Sequence, residues 1–358
     1  MRAGLALAAL AQGAAAAAAP PPCPGPRTDP AVPGPRLVLD ENFPDPFVAR
    51  FGGAYYAYAT GAQLGERRRN VQVIHSSDLR TWSAPVEALP DSGLPAWADR
   101  KDVQVWAPEA IRIGRRYVLY FNARHASLTR TETPPSGPQV LKRHCLGAAV
   151  ALRPEGPYRG VAKPLACAAF RDGAIDPSPF RDAGGRLFLY FKDDGNCCGR
   201  KSAIWGLRLR ADGLAAMGGP VKLFANDESP AHYDNWEWRV VEAPTMVRRA
   251  GAYILFYSGN YFGNKNYSVG YRLCRGPLGP CRDPGTNPIL WSHPASPLIG
   301  PGSQSVLAAA GGDLLFFHGW NRDPDGREQP GVHKRCLYVA PLEWAGGRPR
   351  VAGGAPAP

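Results

Sequence analysis

Three acidic residues stand just before hydrophobic, strand-like segments at widely separated points of the chain. They are Asp45 in Asp45-Pro46, Asp176 in Asp176-Pro177-Ser178, and Glu242 in Glu242-Ala243-Pro244. Carboxyl groups brought together can cleave a glycosidic bond, because one stays protonated as a general acid while another, ionised, activates water. A third can adjust the pKa of the proton donor by charge repulsion. This chemistry requires a fold that brings distant parts of the chain to one place.

Five segments of the chain share one pattern: a proline near the start, a hydrophobic strand, a glycine turn and an aromatic-rich strand. Each is followed by a second predicted strand pair, so one repeat holds four strands, the size of a propeller blade. The repeats fill residues 36–350 and predict an all-β, single-domain, five-bladed β-propeller. A β-sandwich or a solenoid fits less well, since solenoid repeats are shorter. The turn glycines lie 61, 71, 66 and 61 residues apart, at Gly53, Gly114, Gly185, Gly251 and Gly312.

The repeats also predict where the acidic residues lie. Asp45, Asp176 and Glu242 stand 8, 9 and 9 residues before their turn glycines. The innermost strands of successive blades face one axis, so we expect residues at equivalent positions to converge at one end of the central channel. For any single motif, Asp-Pro is equally an ordinary turn at a strand entry. Three acidic residues in blade register favour a common site.

Five segments of the chain match motifs of a known enzyme family. They are Asp45-Pro46, Trp106-Ala107-Pro108-Glu109, Ile175-Asp176-Pro177-Ser178, Val241-Glu242-Ala243-Pro244, and the stretch from Arg335 to Trp344 with Gly346. In these segments the chain resembles glycoside hydrolase family 43, whose members are inverting furanosidases and xylosidases with five-bladed propellers. The resemblance implies that Asp45 is the general base, Glu242 the general acid, and Asp176 the residue that adjusts the pKa of the acid. It also implies that Trp106 lines the substrate pocket.

Further aromatic and polar residues are candidates for binding substrate. Trp106 and Trp236 offer ring faces that stack on sugars, and packing inside the protein is an equal alternative for Trp236. His318 and Gln304 are further candidates near the axis. Many family members carry a histidine in the fifth-blade motif G-x-G-H, near a central ion, where this chain has Gly302-Ser303-Gln304. The resemblance implies that no cofactor is required. Because Ser303 stands where the histidine is expected, the presence of a central metal ion stays an open question. We predict no metal-ligating residues.

These features predict an enzyme that cleaves O-glycosidic bonds in arabinofuranose- or xylose-containing plant polysaccharides with inversion. It would be of the α-L-arabinofuranosidase, endo-arabinanase or β-xylosidase type. A non-catalytic glycan-binding propeller is the alternative from another class, and the presence of all three acidic residues disfavours it. A retaining β-fructosidase is less favoured still, because the Glu-Cys motif is absent. We expect the segments 126–140 and 225–239 to shape the pocket as loops.

The net charge and the distribution of basic residues indicate which classes of partner the chain could bind. The net charge of +12 would suit acidic polymers such as pectin, or nucleic acid. The longest basic run is only three arginines, at 67–69, so we predict no nucleic-acid partner. The apolar part of the N-terminus is too short for a membrane span and no later segment comes close, so we predict no membrane association. The expected partner is a polysaccharide or oligosaccharide. We expect a monomer.

Export is indicated by the N-terminus and the cysteines. Residues 1–19 begin with Met-Arg, continue as a Leu- and Ala-rich stretch and stop before three prolines, which predicts a secretory signal peptide. A disordered alanine-rich leader is the alternative. All eight cysteines follow this segment, as expected for a secreted, disulfide-bonded protein. Among possible pairs, Cys145–Cys167 and Cys274–Cys281 are plausible, and the sequence proves neither.

Overall fold

The computed structural model describes residues 19–26, 34–64, 67–132, 137–167, 170, 172–195, 200–226, 236–294, 296–309, 311–329 and 331–353. Within them the chain folds into five antiparallel sheets arranged as the blades of a ring, which confirms the predicted all-β, five-bladed propeller. The segment 1–19, predicted to be a signal peptide, lies outside the described residues except for its last residue. None of the described residues forms a helix long and apolar enough to cross a membrane.

The strands of each blade follow one another from the channel outwards. The first strand of the chain, β1 (Arg36–Leu39), belongs to the last blade. Blade 1 contains β2 (Phe47–Phe51), β3 (Ala54–Thr60), β6 (Val71–Ser76) and β7 (Val86–Glu87), and carries a small hairpin of β4 (Gln63–Leu64) and β5 (Arg67–Arg68). Blade 2 contains β8 (Trp106–Ile113), β9 (Arg116–Glu132), β10 (Gln139–Ala151) and β11 (Arg159–Gly160), and a 3-10 turn (Asp91–Gly93) precedes it.

The remaining blades repeat this arrangement. Blade 3 contains β12 (Ala174–Arg181), β13 (Leu187–Asp193), β14 (Ala203–Arg208) and β15 (Val221–Ala225). Blade 4 contains β16 (Val241–Arg249), β17 (Ala252–Gly259), β18 (Ser268–Cys274) and β19 (Cys281–Arg282). Blade 5 contains β20 (Gly302–Ala309), β21 (Gly312–Trp320) and β22 (Arg335–Ala345), with β1 as its fourth strand and β23 (Arg348–Val351) paired to β22.

Five hydrophobic clusters hold the ring together, one between each pair of neighbouring blades. The second strand of a blade contributes to the clusters on both sides. In β9, for example, Phe121 packs with Tyr58 of blade 1, while its neighbour Tyr120 belongs to the cluster with Phe191 of blade 3. Successive side chains of a strand point to opposite faces of the sheet. This explains why these strands are aromatic or aliphatic at nearly every position.

The N-terminal strand closes the ring. β1 pairs antiparallel with β22, so that Leu37 lies opposite Tyr338. The disulfide Cys23–Cys336 fastens the segment before β1 to the same strand. The predicted pairs Cys145–Cys167 and Cys274–Cys281 are confirmed.

Loss of the closing disulfide is expected to destabilise the protein more than loss of a local one. Cys23–Cys336 joins residues 313 positions apart, whereas Cys274–Cys281 joins residues 7 apart. A cross-link restricts the unfolded chain more when it encloses a longer loop. We expect the variant C23A/C336A to lose about 5 kcal/mol of unfolding free energy, and C274A/C281A about 2 kcal/mol. Urea denaturation measures both, and equal losses would contradict the argument from loop length.

The segment 126–140, predicted to be a loop, is largely strand. β9 continues to Glu132 and β10 begins at Gln139, with Arg130 opposite Leu141. Asn122 of β9 pairs with Trp106, the first residue of the inner strand β8. β9 and β10 therefore extend past the start of β8. Thr129 and Thr131 are β-branched, which favours extended backbone. The result is a two-stranded hairpin that projects on the Trp106 side of the ring.

Candidate active site

One residue at the start of each innermost strand, or just before it in blade 1, bulges out of the extended backbone and builds the site. The bulged residues all have left-handed backbone, with φ of 54° at Asp45, 44° at Ala107, 57° at Asp176, 50° at Ala243 and 49° at Ser303. In blades 2 to 5 the strand pairing shifts register at this point. All five line one central cavity of about 20 Å³. A left-handed conformation is costly for residues other than glycine, so its recurrence in every blade indicates that the bulge directs this position into the channel.

The predicted blade position of Glu242 was wrong by one residue. Asp45 and Asp176 occupy equivalent blade positions as predicted, but Ala243 takes this position in blade 4. Glu242 lies one residue earlier and corresponds to Trp106 of blade 2. Counting from the turn glycines failed because the inner hairpins differ in length. The better marker is the proline that directly follows the bulged residue in blades 1 to 4.

A polar residue that follows the aromatic run of each second strand ties successive blades together. These residues are Thr60, Asn122, Lys192, Ser258 and His318. In four blades the side chain accepts a hydrogen bond from the backbone N–H of the next bulged residue. The bonds run from Ala107 N to Thr60 Oγ1 (2.8 Å), from Asp176 N to Asn122 Oδ1 (3.2 Å), from Ser303 N to Ser258 Oγ (2.9 Å) and from Asp45 N to His318 Nδ1 (3.1 Å).

Lys192 of blade 3 departs from this pattern because an ammonium group cannot accept a hydrogen bond. The backbone N–H of Ala243 donates instead to Asp176 Oδ2, at 3.0 Å. Lys192 Nζ donates to Glu242 Oε2, at 2.6 Å. Burial lowers the pKa of Lys192, but the carboxylates of Glu242, Asp176 and Asp194 outweigh it and raise the pKa above its ordinary value. A charged lysine therefore lies buried against Glu242 and beside Asp176.

Asp45 is held in its ionised form. Burial raises the pKa of Asp45, but the charge of Arg335 and the hydroxyl of Thr60 lower it by more. The net pKa therefore lies below the ordinary 3.8. Arg335 Nη1 is 3.0 Å from Asp45 Oδ1, and Thr60 Oγ1 donates to Oδ2 at 2.6 Å. The carboxylate is thus a base at neutral pH.

Asp176 has the opposite electrostatics. Burial and the neighbouring carboxylates, first Glu242 and then Asp45, raise its pKa to about 8, although Lys192 acts in the opposite direction. Glu109, which lines the same cavity, also has its pKa raised well above 4.5, by burial and to a smaller extent by Asp176. The site therefore combines an ionised carboxylate at Asp45 with a carboxyl group, that of Asp176, which retains its proton at neutral pH beside Glu242.

His318 and Gln304, predicted to bind substrate, are buried in supporting contacts. His318 is fully buried, and burial lowers the pKa of its imidazole to about 3. Its Nδ1 therefore stays unprotonated and accepts the hydrogen bond from Asp45 N. Gln304 donates through Nε2 to Ala243 O and accepts from Ser258 Oγ, both at 2.8 Å. His318 supports the bulge at Asp45, and Gln304 supports the bulge at Ala243. Gln304 also lines the central cavity, so its contact with substrate stays a prediction.

The two predicted stacking tryptophans have different surroundings. Trp106 is half-buried at the site end of blade 2, and its ring lies against the imidazole of His144, with centroids 3.9 Å apart. Trp236 packs against Tyr257, at 5.2 Å, and covers Gly259. Trp106 remains the candidate platform, whereas Trp236 belongs to the packing of blade 4.

Glu237, the other acidic residue near Glu242, is fully buried in blade 4. It accepts a hydrogen bond from the hydroxyl of Tyr257 and lies 3.4 Å from Arg272 Nη2. Its backbone carbonyl accepts from the N–H groups of Val240 and Asn260. These contacts fix the segment that leads to Glu242.

Sequence reasoning missed Thr60, Lys192 and Arg335. For the first two a signal was present, because the aromatic run of every second strand is followed by a polar residue. Arg335 begins one of the segments that resemble the family, but nothing local indicates its contact with Asp45, which joins β22 to the first blade.

Comparison with known proteins places this arrangement in a family. The model of the family described as Glycosyl hydrolases family 43 matches residues 35–349. The chain belongs to this family. It is 26% identical over 252 residues to the β-D-galactofuranosidase xynD of Aspergillus niger, a match that covers 66% of this chain and 62% of that protein. The chain thus spans less than two thirds of that relative's length.

Solved structures share the fold of this family 43 protein. It is similar to a thermostable family-43 glycoside hydrolase, with a TM-score of 0.70, 24% identity, and coverage of 88% of this chain and 95% of the other. It is also similar to an endo-1,4-β-xylanase from Bacteroides thetaiotaomicron, with a TM-score of 0.66, 24% identity, and coverage of 90% and 98%.

A central metal ion has a poor set of donors in this family 43 protein. Ser303 occupies the place of the histidine expected in the fifth blade, and its hydroxyl lies 3.1 Å from that of Tyr267. Among the described residues, the one group of potential metal ligands close enough together is Cys23, Asp40 and Cys336. Its two cysteines form the closing disulfide. We route no catalytic step through a metal.

The electrostatics predict a bell-shaped dependence of kcat/KM on pH. Asp45 must be ionised, so activity falls as the pH drops below the ordinary range of an aspartate. Asp176 must keep its proton, so activity falls as the pH rises through about 8. Initial rates on a neutral aryl furanoside, measured from acid to alkaline pH, define the acid limb and the alkaline limb of the kcat/KM profile. An alkaline limb that is unchanged in Asp176→Asn would contradict the assignment.

Proposed function

We propose that this protein hydrolyses O-glycosidic bonds by single displacement, with inversion at the anomeric carbon. The observation that carries the proposal is the contrast between an ionised Asp45 and a proton-retaining Asp176, which lies beside Glu242 at one end of the channel. General acid–base hydrolysis needs this contrast, since one carboxylate must accept a proton while another carboxyl group donates one.

Asp45 serves as the general base. Its carboxylate takes a proton from the attacking water as the oxygen forms its bond to the anomeric carbon. Arg335 and Thr60 hold the two carboxylate oxygens. This orients the group and keeps it ionised before attack.

Glu242 serves as the general acid. In the free enzyme Lys192 binds the carboxyl group of Glu242, and Asp176 holds the proton that the reaction uses. When the leaving oxygen occupies the site, the proton moves to Glu242, and Asp176 remains as a carboxylate beside Lys192 and the N–H of Ala243. Glu242 then protonates the leaving oxygen as the glycosidic bond breaks. Asp176 thereby adjusts the pKa of the acid without touching the substrate.

The substrate class follows from the family rather than from a measured complex. We propose arabinofuranose- or xylose-containing plant polysaccharides, with Trp106 as a stacking platform. Galactofuranosides are the second candidate, because the Aspergillus niger relative is named a β-D-galactofuranosidase. No organic cofactor enters the mechanism.

We further propose that the enzyme is secreted and acts as a monomer. Three disulfides in the described residues support an oxidising compartment. Residues 1–19 would serve as the signal peptide, and residues 36–350 as the catalytic domain.

Product stereochemistry tests the mechanism directly. We expect a reducing-sugar assay to detect hydrolysis of arabinan, arabinoxylan, xylan or an aryl galactofuranoside. Proton NMR of the first turnovers should then show the product anomer opposite to that of the substrate. Early retention would contradict single displacement, and no hydrolysis of any member of the panel would favour a glycan-binding propeller.

A further inference from the structure

The end of the channel opposite the carboxyl groups carries a repeated basic residue. Five positions after the bulged residue, four of the five blades have an arginine and the fifth has Ala308. We call the four the arginine ring: Arg50, Arg112, Arg181 and Arg248. At about 3.3 Å per residue, they lie about 16 Å along the inner strands from the bulges. All four are exposed.

The inner hairpins concentrate positive charge at this end of the channel. The segments 50–55, 112–117, 181–187, 248–253 and 308–313 contain eight arginines and two aspartates, a net charge of +6 and half of the +12 of the whole chain. Each aspartate is already bound by an arginine of these hairpins, Asp182 by Arg186 and Asp313 by Arg249. No member of the arginine ring forms an ion pair within the described part of the chain.

Contacts hold the arginine ring in place without neutralising it. The guanidinium groups of Arg50 and Arg248 lie over the rings of Tyr55 and Tyr253, at 5.7 and 5.8 Å from the centroids. Arg181 Nη2 donates to the carbonyl oxygen of Arg112, at 2.7 Å, and so crosses from blade 3 to blade 2. All four arginines are exposed, so solvent can reach their side chains.

We propose that the arginine ring is a second glycan-binding site, which takes the carboxylate groups of a uronate-containing polysaccharide. Guanidinium groups form paired hydrogen bonds with planar carboxylates. Several of them around one opening match a polymer that presents a carboxylate on each sugar. A glycosidase anchored in this way keeps its proposed active site, at the other end of the channel, free to bind neutral polysaccharide chains of the same matrix.

The choice of a polysaccharide over another polyanion rests on the proposed function, because a glycosidase meets its substrate within a glycan matrix. The half-exposed tyrosines beneath the guanidinium groups also suit sugar faces. Binding itself requires no hydrolysis, so the site is tested independently of the reaction.

The test measures the affinity of the full chain for polygalacturonate by isothermal titration calorimetry at low and at physiological salt. Glu242→Gln is the background, which excludes any effect of hydrolysis. We expect binding that weakens with salt and that falls at least about tenfold in R50Q/R112Q/R181Q/R248Q. Activity on a neutral aryl furanoside, measured without the Glu242→Gln change, should stay unaltered.

A matched control removes the same charge elsewhere. R80Q/R159Q/R275Q/R348Q replaces four exposed arginines on outer strands and turns and should keep its affinity for polygalacturonate. Equal losses in the two quadruple variants would overturn the proposal, because net charge alone would then explain binding. It would also be overturned if polygalacturonate failed to bind, or if duplex DNA or anionic vesicles bound to the arginine ring more tightly.

Discussion

Glu242→Gln is expected to lower kcat/KM for a natural glycan about 10³-fold. The glutamine has the same shape, and its carbonyl oxygen can still accept the hydrogen bond from Lys192. It cannot give a proton to the leaving oxygen. A leaving group that departs easily as an anion, such as dinitrophenolate, needs no protonation. The loss on a dinitrophenyl glycoside should therefore shrink to about tenfold.

Glu237→Gln is the matched control for this experiment. Glu237 is a buried glutamate five residues away, and its carboxyl group is engaged by Tyr257 and Arg272. We expect this change to reduce stability but to affect natural and activated substrates equally. If dependence on the leaving group appeared in Glu237→Gln and not in Glu242→Gln, the assignment of the general acid would be wrong.

Lys192→Met is expected to have the second largest effect, on both stability and pH dependence. Removing one partner of a buried ion pair costs about 3–5 kcal/mol. Lys192 lowers the pKa of Asp176, so without Lys192 the carboxyl group of Asp176 holds its proton more tightly. The alkaline limb of the kcat/KM profile should then move to higher pH. A carboxyl group whose pKa is raised in the folded state loses folding stability as the pH rises, so the free energy of unfolding of the variant should be lowest at alkaline pH.

Two further variants separate charge from packing at this position. Lys192→Arg keeps the cation and should retain an alkaline limb close to that of the original enzyme. Lys163→Met changes an exposed lysine and should alter neither property. If Lys192→Met left the alkaline limb in place, Lys192 would be a structural residue without influence on the proton of Asp176.

Much of the fold was predictable because its determinants are local. The hairpins, the glycine turns and the doubly buried aromatic strands recur with a period that matches four strands. The bulges were also open to prediction, since the proline after Asp45, Ala107, Asp176 and Ala243 marks them. Reading the glycines instead of the prolines misplaced Glu242 by one residue. The register of a bulge depends on the strand pairing around it and not on the length of the next turn.

The repeats in the sequence were enough to give the number of blades and to place Asp45 and Asp176 at one end of the channel, because a repeated local pattern produces repeated geometry. The protonation of the site followed only from the three-dimensional contacts. Arg335 reaches Asp45 across the closure of the ring, and Lys192 reaches Glu242 from the neighbouring blade. The pKa of a buried carboxyl group depends on burial and on charges a few ångströms away. Those charges come from parts of the chain that no local pattern connects.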